Sequence, residues 1–302
     1  MNLLTLLQVK HQSGDNMEQL MQKAQTLIEA LPYIRKWAGK TVVVKYGGHA
    51  MEDDALKRNV AEDIVLLHYV GIKVVVVHGG GPAINTMMDR LGLESKFISG
   101  LRVTDESTME VAQMVLVGQI NQELVSLINA CGGRALGLSG KDANLLRAEK
   151  IQHPDGDLGF VGNITCIDSS VIDTLTDGGY VVVISSIGVG PHGESYNINA
   201  DTVAGDLAAA LGAEKLLALS DVRGILRDVK DETSLISRLT LDEARALMTS
   251  GIISKGMIPK LESCINALEK GVKRAHMIDG RIPHGILMEL FTDQGIGTMI
   301  EK

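Results

Sequence analysis

Two glycine turns, each directly after a predicted apolar strand, are the strongest chemical signal in the sequence. TVVVKYGG ends in Gly47 and Gly48, and VVVVHGGGPAI contains Gly79 to Gly81 followed by Pro82. Glycine lets backbone N–H groups approach an anion, and the N-terminus of a following helix adds a favourable field. Because ligands of open α/β sheets bind at the carboxyl ends of the strands, we predict that these turns bind an anionic group.

Five charged or polar side chains could bind or organise such an anion. Lys45 ends the TVVV strand, and Lys260 stands at a helix start, where a cation is unfavourable unless it faces an anion. Arg102 in SGLRVT could bind a carboxylate through two hydrogen bonds, and Asn197 and Asp201 cluster before a helix in YNINAD. The structural alternatives are a solvated strand end for Lys45, an exposed side chain without a role for Lys260, a surface arginine for Arg102 and a helix N-cap for Asp201.

Composition and charge exclude several classes of protein. The 302 residues carry a formal net charge of -8 and 3% aromatic residues, which argues against general binding to nucleic acid or to a membrane surface. The three cysteines form no CxxC pair, so neither a disulfide framework nor a thiolate zinc site is expected. The first residues lack a signal-peptide pattern, and no apolar run approaches about 18 residues. We therefore expect a cytoplasmic protein without a membrane span.

Two other glycine motifs do not meet the requirements of known nucleotide sites. GVGPHG fits GxGxxG, but Pro191 and an irregular segment follow it where a dinucleotide fold needs a helix. GLSGKD resembles the end of a P-loop, but Ala135 replaces its first glycine and Asp142 stands where Ser or Thr would coordinate magnesium. We expect neither a Rossmann nor a Walker site, and we interpret GVGPHG as a boundary between two lobes.

From residue 41 onward, apolar strands alternate with amphipathic helices. Strands are predicted at TVVVKY, IKVVVVH, YVVVISSIG and KLLALSDVRG, and one long helix is predicted over 104–133. Continuous apolar strands that alternate with helices indicate an α/β fold with a mainly parallel sheet, covered on both faces.

A helix is also predicted ahead of the first strand. Asp15 and Glu18 form a capping-box-like start, apolar residues then recur on one face, and Pro32 should end or kink the helix. The helix could dock on its own domain or act as an arm that packs against another subunit.

From about Lys40 to the C-terminus, the chain resembles the amino acid kinase family. The resemblance rests on the order and spacing of KYGG, VVHGGGPAI, SGLRVT, SSIG, NINAD, SDVRGI and GMIPK. The resemblance implies an open αβα sandwich with two lobes. GLRVT and NINAD resemble the members that phosphorylate the γ-carboxylate of N-acetyl-L-glutamate with ATP and Mg²⁺, the metal being held mainly by the ATP phosphates. The implied domains are a helical arm over 1–40, an acetylglutamate-binding and dimerisation lobe over 41–187, and an ATP-binding lobe over 188–302.

The resemblance also implies a role for each candidate residue. Lys45 and Lys260 would stabilise the phosphoryl group during transfer. Asp201 would orient both lysines rather than act as a base, because the acceptor carboxylate, with an ordinary pKa of about 4.3, is already ionised. Acetylglutamate would be bound by Gly80, Gly81, Arg102 and Asn197, and the nucleotide by Gly47, Gly48, Asp221 and Met257.

An arginine site is implied as well. The N-terminal helix and the stretch RAHMIDGRIPHGILMELFTDQGIGT resemble the arginine-inhibited, hexameric members of the family, whose helices interlace three dimers into a ring. Glu289 suits a guanidinium, and backbone carbonyls near Gly295 could accept its other donors. The implied site consists of Lys215, His276, Glu289 and Gly295, with a surface pair as the alternative for His276 and Glu289. A PII-type signalling protein binds some photosynthetic relatives, and the sequence leaves open whether one binds this protein.

Two other functions remain open on the sequence. One is an amino acid kinase that acts on glutamate, carbamate or UMP. The other is a non-catalytic arginine-sensing protein on the same fold, against which the retention of Lys45, Asp201 and Lys260 argues.

Overall fold

The computed structural model describes residues 3–51, 53–228, 231–250, 253, 257–293 and 295–302. In this part of the chain the α-helices are α1 (Leu3–Trp37), α2 (Asp54–Tyr69), α3 (Gly81–Arg90), α4 (Glu106–Gln113), α5 (Asn121–Ala130), α6 (Ser170–Asp177), α7 (Ala200–Ala210), α8 (Leu241–Ser250), α9 (Ile258–Glu269) and α10 (Gly285–Leu290). The strands are β1 (Thr41–Tyr46), β2 (Lys73–His78), β3 (Phe97–Ile98), β4 (Leu101–Arg102), β5 (Ala135–Ser139), β6 (Leu146–Lys150), β7 (Gly162–Ile167), β8 (Val181–Ser185), β9 (Ile187–Val189), β10 (Ser195–Asn197), β11 (Lys215–Ser220), β12 (Arg238–Thr240), β13 (Arg274–Asp279) and β14 (Thr298–Glu301).

The main sheet has eight strands in the order β12-β14-β13-β11-β1-β2-β8-β5. Neighbouring strands run parallel, apart from β13 and β14. The four predicted apolar strands are β1, β2, β8 and β11, and they lie together near the centre of the sheet with almost every residue buried. The prediction of an α/β fold with a mainly parallel central sheet is therefore confirmed.

Helices cover both faces of the main sheet, which makes the fold an αβα sandwich. Because successive side chains of a strand point to opposite faces, Val43 packs into one hydrophobic core, and Val42 and Val44 pack into the other. Residues of α6, α7, α8 and α9 complete the first core, and residues of α2, α5 and α10 complete the second. Trp37, at the end of α1, belongs to the second core.

A second sheet, with the order β10-β9-β6-β7, was not predicted. Its strands are short, and exposed polar residues interrupt β6 and β7, so no long apolar run marks the sheet in the sequence. GVGPHG forms the end of β9 and the turn of the β9–β10 hairpin, so it does not open a helix, and the rejection of a Rossmann turn is confirmed. The division into lobes at this point stays a prediction.

The N-terminal helix differs from its prediction in both limits. It runs from Leu3 to Trp37, so the predictions of a start at Asp15 and of an end at Pro32 are wrong. A proline removes only one N–H from the hydrogen-bond ladder, and the far end of α1 is anchored because Trp37 Nε1 donates to the carbonyl of Leu290 at 3.0 Å. The apolar stripe of α1 is exposed on the single chain. Its exposed members are Met17, Leu20, Met21, Leu27, Ile28 and Leu31.

The predicted long helix is present from Glu106 to Ala130, but its middle is not a regular α-helix. Met114–Ile120, between α4 and α5, is a π-helix, here called the π segment, whose hydrogen bonds skip one residue more than those of an α-helix. Among the described helices this one is long and apolar enough, by length and composition alone, to cross a membrane. It lies against α2, β5 and β8, which is the position of a core helix in a globular protein.

Candidate functional site

Three neighbouring strands of the main sheet end side by side at one edge. Lys45 of β1 is paired with Ala218 of β11 on one side and with Val77 of β2 on the other. The Gly47–Gly48 turn follows β1, and the Gly79–Gly81 turn follows β2. Because the strands are parallel, both predicted anion-binding turns and Lys45 lie at the same carboxyl edge of the sheet.

The two glycine turns border a cleft with a volume of 1390 Å³. This volume exceeds the roughly 300–1,000 Å³ of an ordinary small-molecule pocket, so two substrates can lie in it side by side. The walls come from the β1–α2 turn, the start of α3, the β3–β4 hairpin, the π segment with α5, and the start of α7. The predicted site residues that line it are Lys45, Gly47, Gly48, Gly80, Gly81, Arg102, Asn197 and Asp201.

A cluster of opposite charges lies at the carboxyl end of β1. The buried Lys45 has its Nζ 3.0 Å from Oδ1 of Asp201. Lys260, in the first turn of α9, donates a hydrogen bond of 3.0 Å to Oγ of Ser220. Burial, followed by the charge of Lys45, lowers the pKa of Lys260, and the carboxylates of Asp201 and Asp221 oppose that shift. The two lysines are thus close enough to repel each other, and the carboxylates compensate part of the repulsion.

The structural alternatives for Lys45 and Asp201 are wrong. Lys45 is only 8% exposed, so it is not a solvated strand end. The N-cap of α7 is Asn199, whose side chain accepts the N–H of Asp201 at 2.8 Å. Because Asn199 caps the helix, the carboxylate of Asp201 is available to bind Lys45.

Both glycines after β1 leave room for charged side chains. A Cβ on Gly48, where φ is +74°, would lie 2.1 Å from Oδ1 of Asp221. A Cβ on Gly47 would lie 2.9 Å from Nζ of Lys45. The turn therefore brings Asp221, which directly follows β11, against the backbone beside Lys45.

Gly80 and Gly81 differ in their surroundings. Gly80 is the N-cap of α3, and a Cβ there would lie 2.5 Å from Cδ1 of Ile120 and from Cδ2 of Leu116. A Cβ on Gly81 would meet nothing within 4 Å. The π segment thus packs directly on Gly80, whereas Gly81 borders open space. Pro82 occupies the first turn of α3, as predicted, where its missing N–H costs nothing.

Arg102 is held beside the start of α3. It is buried, and its guanidinium donates to Oγ of Ser95 at 3.0 Å and to the carbonyl of Gly81 at 3.1 Å. The guanidinium also lies over the ring of Phe97, 4.8 Å from its centroid. Burial lowers the pKa of Arg102. The alternative of a surface arginine is wrong, and the group presents an oriented cation at the wall of the cleft.

Two other predicted residues lie at different depths. Asn197 lines the cleft, and its Nδ2 donates to Oγ1 of Thr104 at 3.2 Å, which fixes the amide. Met257 is the N-cap of α9, but its side chain is buried in the hydrophobic core and does not line the cleft.

A second cavity, of 260 Å³, lies between the end of α1 and the C-terminal strands. Tyr33 and Trp37 form its α1 wall. The four residues predicted to bind arginine, Lys215, His276, Glu289 and Gly295, all line this cavity.

Glu289 is the centre of a buried charge network in the second cavity. Nζ of Lys215 lies 3.3 Å from its Oε1, Nδ1 of His276 bonds to the same oxygen, and the N–H of Ile296 donates to Oε2 at 3.0 Å. Burial opposes the charge of Glu289, but these partners lower its pKa to about 2. Burial lowers the pKa of Lys215 to about 8 and also lowers that of His276. Because His276 and Glu289 are both buried, the alternative of a surface pair is wrong.

The second cavity also contains an unsatisfied acceptor. Nε2 of His276 is buried and has no hydrogen-bond partner among the described residues. Since Nδ1 donates to Glu289, the neutral ring leaves Nε2 as an acceptor. A Cβ on Gly295, where φ is +59°, would lie 2.8 Å from Oε2 of Glu289. The cavity is therefore suited to a ligand with several N–H donors.

A sequence profile of the amino acid kinase family matches residues 40–279. The match covers well over half of the chain and extends from the residue before β1 to the end of β13. The chain belongs to the amino acid kinase family.

This amino acid kinase is similar to curated proteins along nearly its whole length. It is 60% identical over 280 residues to an acetylglutamate kinase from Thermoanaerobacter pseudethanolicus, with 93% of each chain covered. It is 54% identical over 283 residues to an acetylglutamate kinase from Synechocystis, with 94% of this chain and 95% of the relative covered. Together with the family match, these similarities show that the chain is a kinase.

Solved structures support the same family fold. An N-acetylglutamate synthase from Neisseria gonorrhoeae, complexed with coenzyme A and N-acetyl-glutamate, has a TM-score of 0.82 at 29% identity; the similarity covers 92% of this amino acid kinase but only 63% of the synthase chain. A carbamate kinase from Giardia lamblia bound to AMP-PNP has a TM-score of 0.64 at 19% identity, with 88% and 99% covered, and shows the shared fold.

Several residues around the cleft of this amino acid kinase were missed from the sequence. Leu116 and Ile120 pack on the glycine turn, and Ser220 holds Lys260. The apolar residues look like ordinary core positions of a helix, and nothing in the composition of the π segment marks its geometry. His78 is easily noticed in the motif VVHGGG, but the sequence does not show that neighbouring elements bury it completely.

Proposed function

We propose that this amino acid kinase transfers the γ-phosphoryl group of ATP to the γ-carboxylate of N-acetyl-L-glutamate, as a cytoplasmic enzyme of arginine biosynthesis. The product would be N-acetyl-L-glutamyl 5-phosphate. The observation that carries the proposal is the cluster of Lys45, Asp201 and Lys260 beside the two glycine turns. The names of the relatives that are 60% and 54% identical support the choice of acceptor.

The reaction requires compensation of charge rather than a general base. The γ-carboxylate, with an ordinary pKa of about 4.3, is ionised at neutral pH. One of its oxygens attacks the γ-phosphorus, and the bond from that phosphorus to the bridging oxygen of ADP breaks. Lys45 and Lys260 would stabilise the charge on the transferred group. Asp201, already bound to Lys45, would keep the lysines oriented.

The acceptor would lie along the start of α3. Arg102 is held by Ser95 and by the carbonyl of Gly81, and its remaining donors would bind the α-carboxylate. The N–H groups of Gly80 and Gly81, at the N-terminus of α3, would bind the γ-carboxylate. Asn197 would complete this site from the other wall.

ATP would lie on the β11 side of Lys45. Within the described residues, no group of three or more His, Cys, Asp or Glu side chains is placed to hold a metal ion. Mg²⁺ would enter as part of the MgATP substrate, held mainly by the phosphates. The nucleotide contacts would come from Gly47, Gly48 and Asp221, and from the backbone at Met257, because the side chain of Met257 is buried in the first core. The proposal keeps a lobe over 41–187 that would bind mainly the acceptor and a lobe over 188–302 that would bind mainly ATP, with Asn197 and the Gly47–Gly48 turn each reaching across.

Trapping of the acyl phosphate tests the proposed function. Purified protein with MgATP, N-acetyl-L-glutamate and hydroxylamine should form a hydroxamate together with ADP. Free glutamate, carbamate and UMP serve as alternative acceptors in parallel reactions. Equal turnover of free glutamate would contradict the proposed specificity for N-acetyl-L-glutamate. The absence of product with every acceptor would favour a non-catalytic arginine-sensing protein.

We further propose that L-arginine inhibits the enzyme from the second cavity and that the protein is a homohexamer, a trimer of dimers. The guanidinium would bind Glu289, and a donor of the amino acid would satisfy Nε2 of His276. The exposed apolar stripe of α1 supports the hexamer, because a surface stripe of this kind is usually covered by a partner. Activity should fall on addition of arginine, and light scattering should give the mass of six chains.

A further inference from the structure

His78 is a fully buried histidine next to the cleft that the proposed reaction does not use. It is the last residue of β2, its exposure is 0%, and burial lowers its pKa to about 4. Nδ1 lies 2.9 Å from the carbonyl oxygen of Gly79, and Nε2 lies 3.2 Å from Nδ2 of Asn121. Both ring nitrogens therefore have partners, although the ring does not line the cleft.

The partners of the ring determine where its proton lies. A carbonyl oxygen only accepts, so Nδ1 must donate its hydrogen to Gly79. Nε2 then accepts from the side-chain nitrogen of Asn121, which also donates to the carbonyl of Val183 at 3.1 Å. The neutral Nδ1–H tautomer satisfies all of these groups, and burial favours the neutral form.

Asn121 is itself held in one orientation. It directly follows the π segment at the start of α5 and is buried. Its Oδ1 fills the space beside Gly137 of β5, where a Cβ would lie only 1.7 Å away. Glycine at position 137 thus leaves room for the amide that bonds to His78.

The bond from His78 sets the orientation of the peptide between Gly79 and Gly80. None of the described peptide bonds is cis, so the C=O of Gly79 and the N–H of Gly80 point in opposite directions. Since the carbonyl points to the buried ring, the N–H of Gly80 points away from it. Gly80 lines the cleft as the N-cap of α3, where backbone N–H groups lack intrahelical acceptors.

Such a restraint is needed because three consecutive glycines have no side chains of their own to limit their backbone angles. A hydrogen-bond donor stabilises developing charge most effectively when it is oriented before the reaction. Leu116 and Ile120 of the π segment also pack against Gly80.

We propose that His78 and Asn121 are positioning residues that lock the Gly79–Gly80 peptide with the Gly80 N–H facing the γ-carboxylate of the acceptor. The inference rests on the proposed function, which supplies that carboxylate. Asn121 fixes the tautomer of His78, His78 fixes the carbonyl of Gly79, and the rigid peptide plane fixes the N–H.

Two substitutions at position 78 separate the hydrogen bond from the packing. Asparagine carries an N–H at the same distance from the backbone as Nδ1, whereas leucine fills similar space without a donor. His78→Leu should lower kcat/KM for N-acetyl-L-glutamate about 100-fold and change the KM for MgATP less than about twofold, because a misplaced group costs about that much in rate. His78→Asn should retain most of the activity, and Asn121→Leu should fall between the two.

The control for general destabilisation is Ile172→Val. Ile172 is fully buried on α6, in the first hydrophobic core, away from the glycine turn. It should lower the thermal midpoint without changing either KM. A merely structural role for His78 would make His78→Leu resemble this control.

Nitrogen-15 spectra of histidine-labelled protein provide a readout that does not depend on activity. The His78 signals, identified by their loss in His78→Asn, should show a protonated Nδ1 in the wild-type protein. In Asn121→Leu they should shift towards the other tautomer.

Any of three results would overturn the positioning role: His78→Leu as active as Ile172→Val, His78→Asn as impaired as His78→Leu, or a protonated Nε2 in the wild-type protein. If His78→Leu does not fold, Asn121→Leu decides by the same kinetics and spectra. If the wild-type protein forms no acyl phosphate, the proposed function fails, and the spectra still report whether the peptide is locked.

Discussion

At the scale of single residues, the glycines of the cleft look alike in the sequence but meet different requirements. Gly48 has a positive φ and leaves room for Asp221. Gly80 leaves room for two side chains of the π segment, and Gly81 borders open space. Packing and backbone conformation therefore require glycine at Gly48 and Gly80 independently of the proposed approach of an anion.

Gly80→Ala should lower stability and activity together. Its methyl group would meet Leu116 and Ile120 at 2.5 Å, and overpacking of this kind costs about 1–3 kcal/mol in the free energy of unfolding. Because the N–H of Gly80 would shift as well, kcat should fall about tenfold or more. Gly81→Ala is the matched control for stability, since its methyl group meets nothing within 4 Å. Equal destabilisation of the two variants in urea unfolding would contradict this distinction.

Lys260→Ala should cut kcat far more than it raises the KM for N-acetyl-L-glutamate. Its ammonium is proposed to act on charge that develops in the transition state, and loss of such a group costs about 10²–10³-fold in kcat. Lys270→Ala is the control, because Lys270 lies at the other end of α9 in an exposed pair with Asp206. Steady-state kinetics showing a raised KM at unchanged kcat would remove Lys260 from the transition state.

At the scale of secondary structure elements, the buried centre of the main sheet could be predicted and its surroundings could not. The strands β1, β2, β8 and β11 are continuous runs of apolar residues, which only a doubly covered sheet requires. In β6 and β7 exposed residues interrupt the apolar run. The π segment has the composition of an α-helix, and its contact with Gly80 joins residues that are far apart in the sequence.

The candidate site divides in the same way. Lys45 and the glycine turns could be brought together from the sequence, because parallel strands end at one edge. The roles of Ser220 and His78 depend on side chains that arrive from other elements, namely Lys260 on α9 and Asn121 on α5. Contacts between side chains of elements that are distant in the sequence leave no local pattern from which they could be predicted.

A side chain of α2 joins that helix to α10. Asp63 is buried, its Oδ1 lies 2.6 Å from Nδ1 of His284, and the backbone N–H groups of Ile286 and Leu287 lie near enough to its carboxylate to oppose the rise of its pKa. These N–H groups belong to the first turn of α10, which has no other acceptor for them within the helix. Asp63 thus fixes the helix that also carries Glu289 of the second cavity.

The stability contributed by Asp63 should depend on pH. Burial raises the pKa of Asp63 from 3.8 to about 6, although its bonds with His284 and α10 oppose the shift. The folded state therefore holds the proton more tightly, so the stabilisation is complete below about pH 4 and is lost as the pH rises through 6. The free energy of unfolding of the wild-type protein, minus that of Asp63→Asn, should fall by about 2–3 kcal/mol between pH 4 and pH 7. Urea unfolding of both proteins provides the measurement. A difference in unfolding free energy that stays the same from pH 4 to pH 7 would contradict the raised pKa of Asp63.

At the scale of the whole molecule, α1 has two parts with different environments. Leu27 is 72% exposed, whereas Trp37 is 2% exposed and packs in the core, with Nζ of Lys215 5.1 Å from the centre of its ring. The last turn of α1 is therefore part of the folded body and of the second cavity. The preceding turns carry the apolar stripe that is proposed to meet another subunit.

Deletion of residues 1–31 should break the hexamer into smaller assemblies and weaken inhibition by arginine, with kcat little changed. The stripe is removed, but Tyr33 and Trp37 remain in place. A deletion that extends to residue 37 would also remove a buried tryptophan and so confuse loss of assembly with loss of stability. Analytical ultracentrifugation and an arginine titration provide the measurements. An intact hexamer after deletion of residues 1–31 would contradict the proposal that α1 joins the subunits.

The order of three central strands sets a length scale for the whole enzyme. β2 ends in the proposed acceptor turn, β1 carries Lys45, and β11 leads to Asp221 on the proposed nucleotide side. Hydrogen-bonded strands lie about 4.8 Å apart, so β2 and β11 are separated by about 10 Å. The proposed acceptor and donor would therefore approach each other across the end of β1, where Lys45 lies. The width of three strands would thus set the distance between the proposed acceptor turn and the proposed nucleotide side, whereas the loops that follow these strands would determine which acid is phosphorylated.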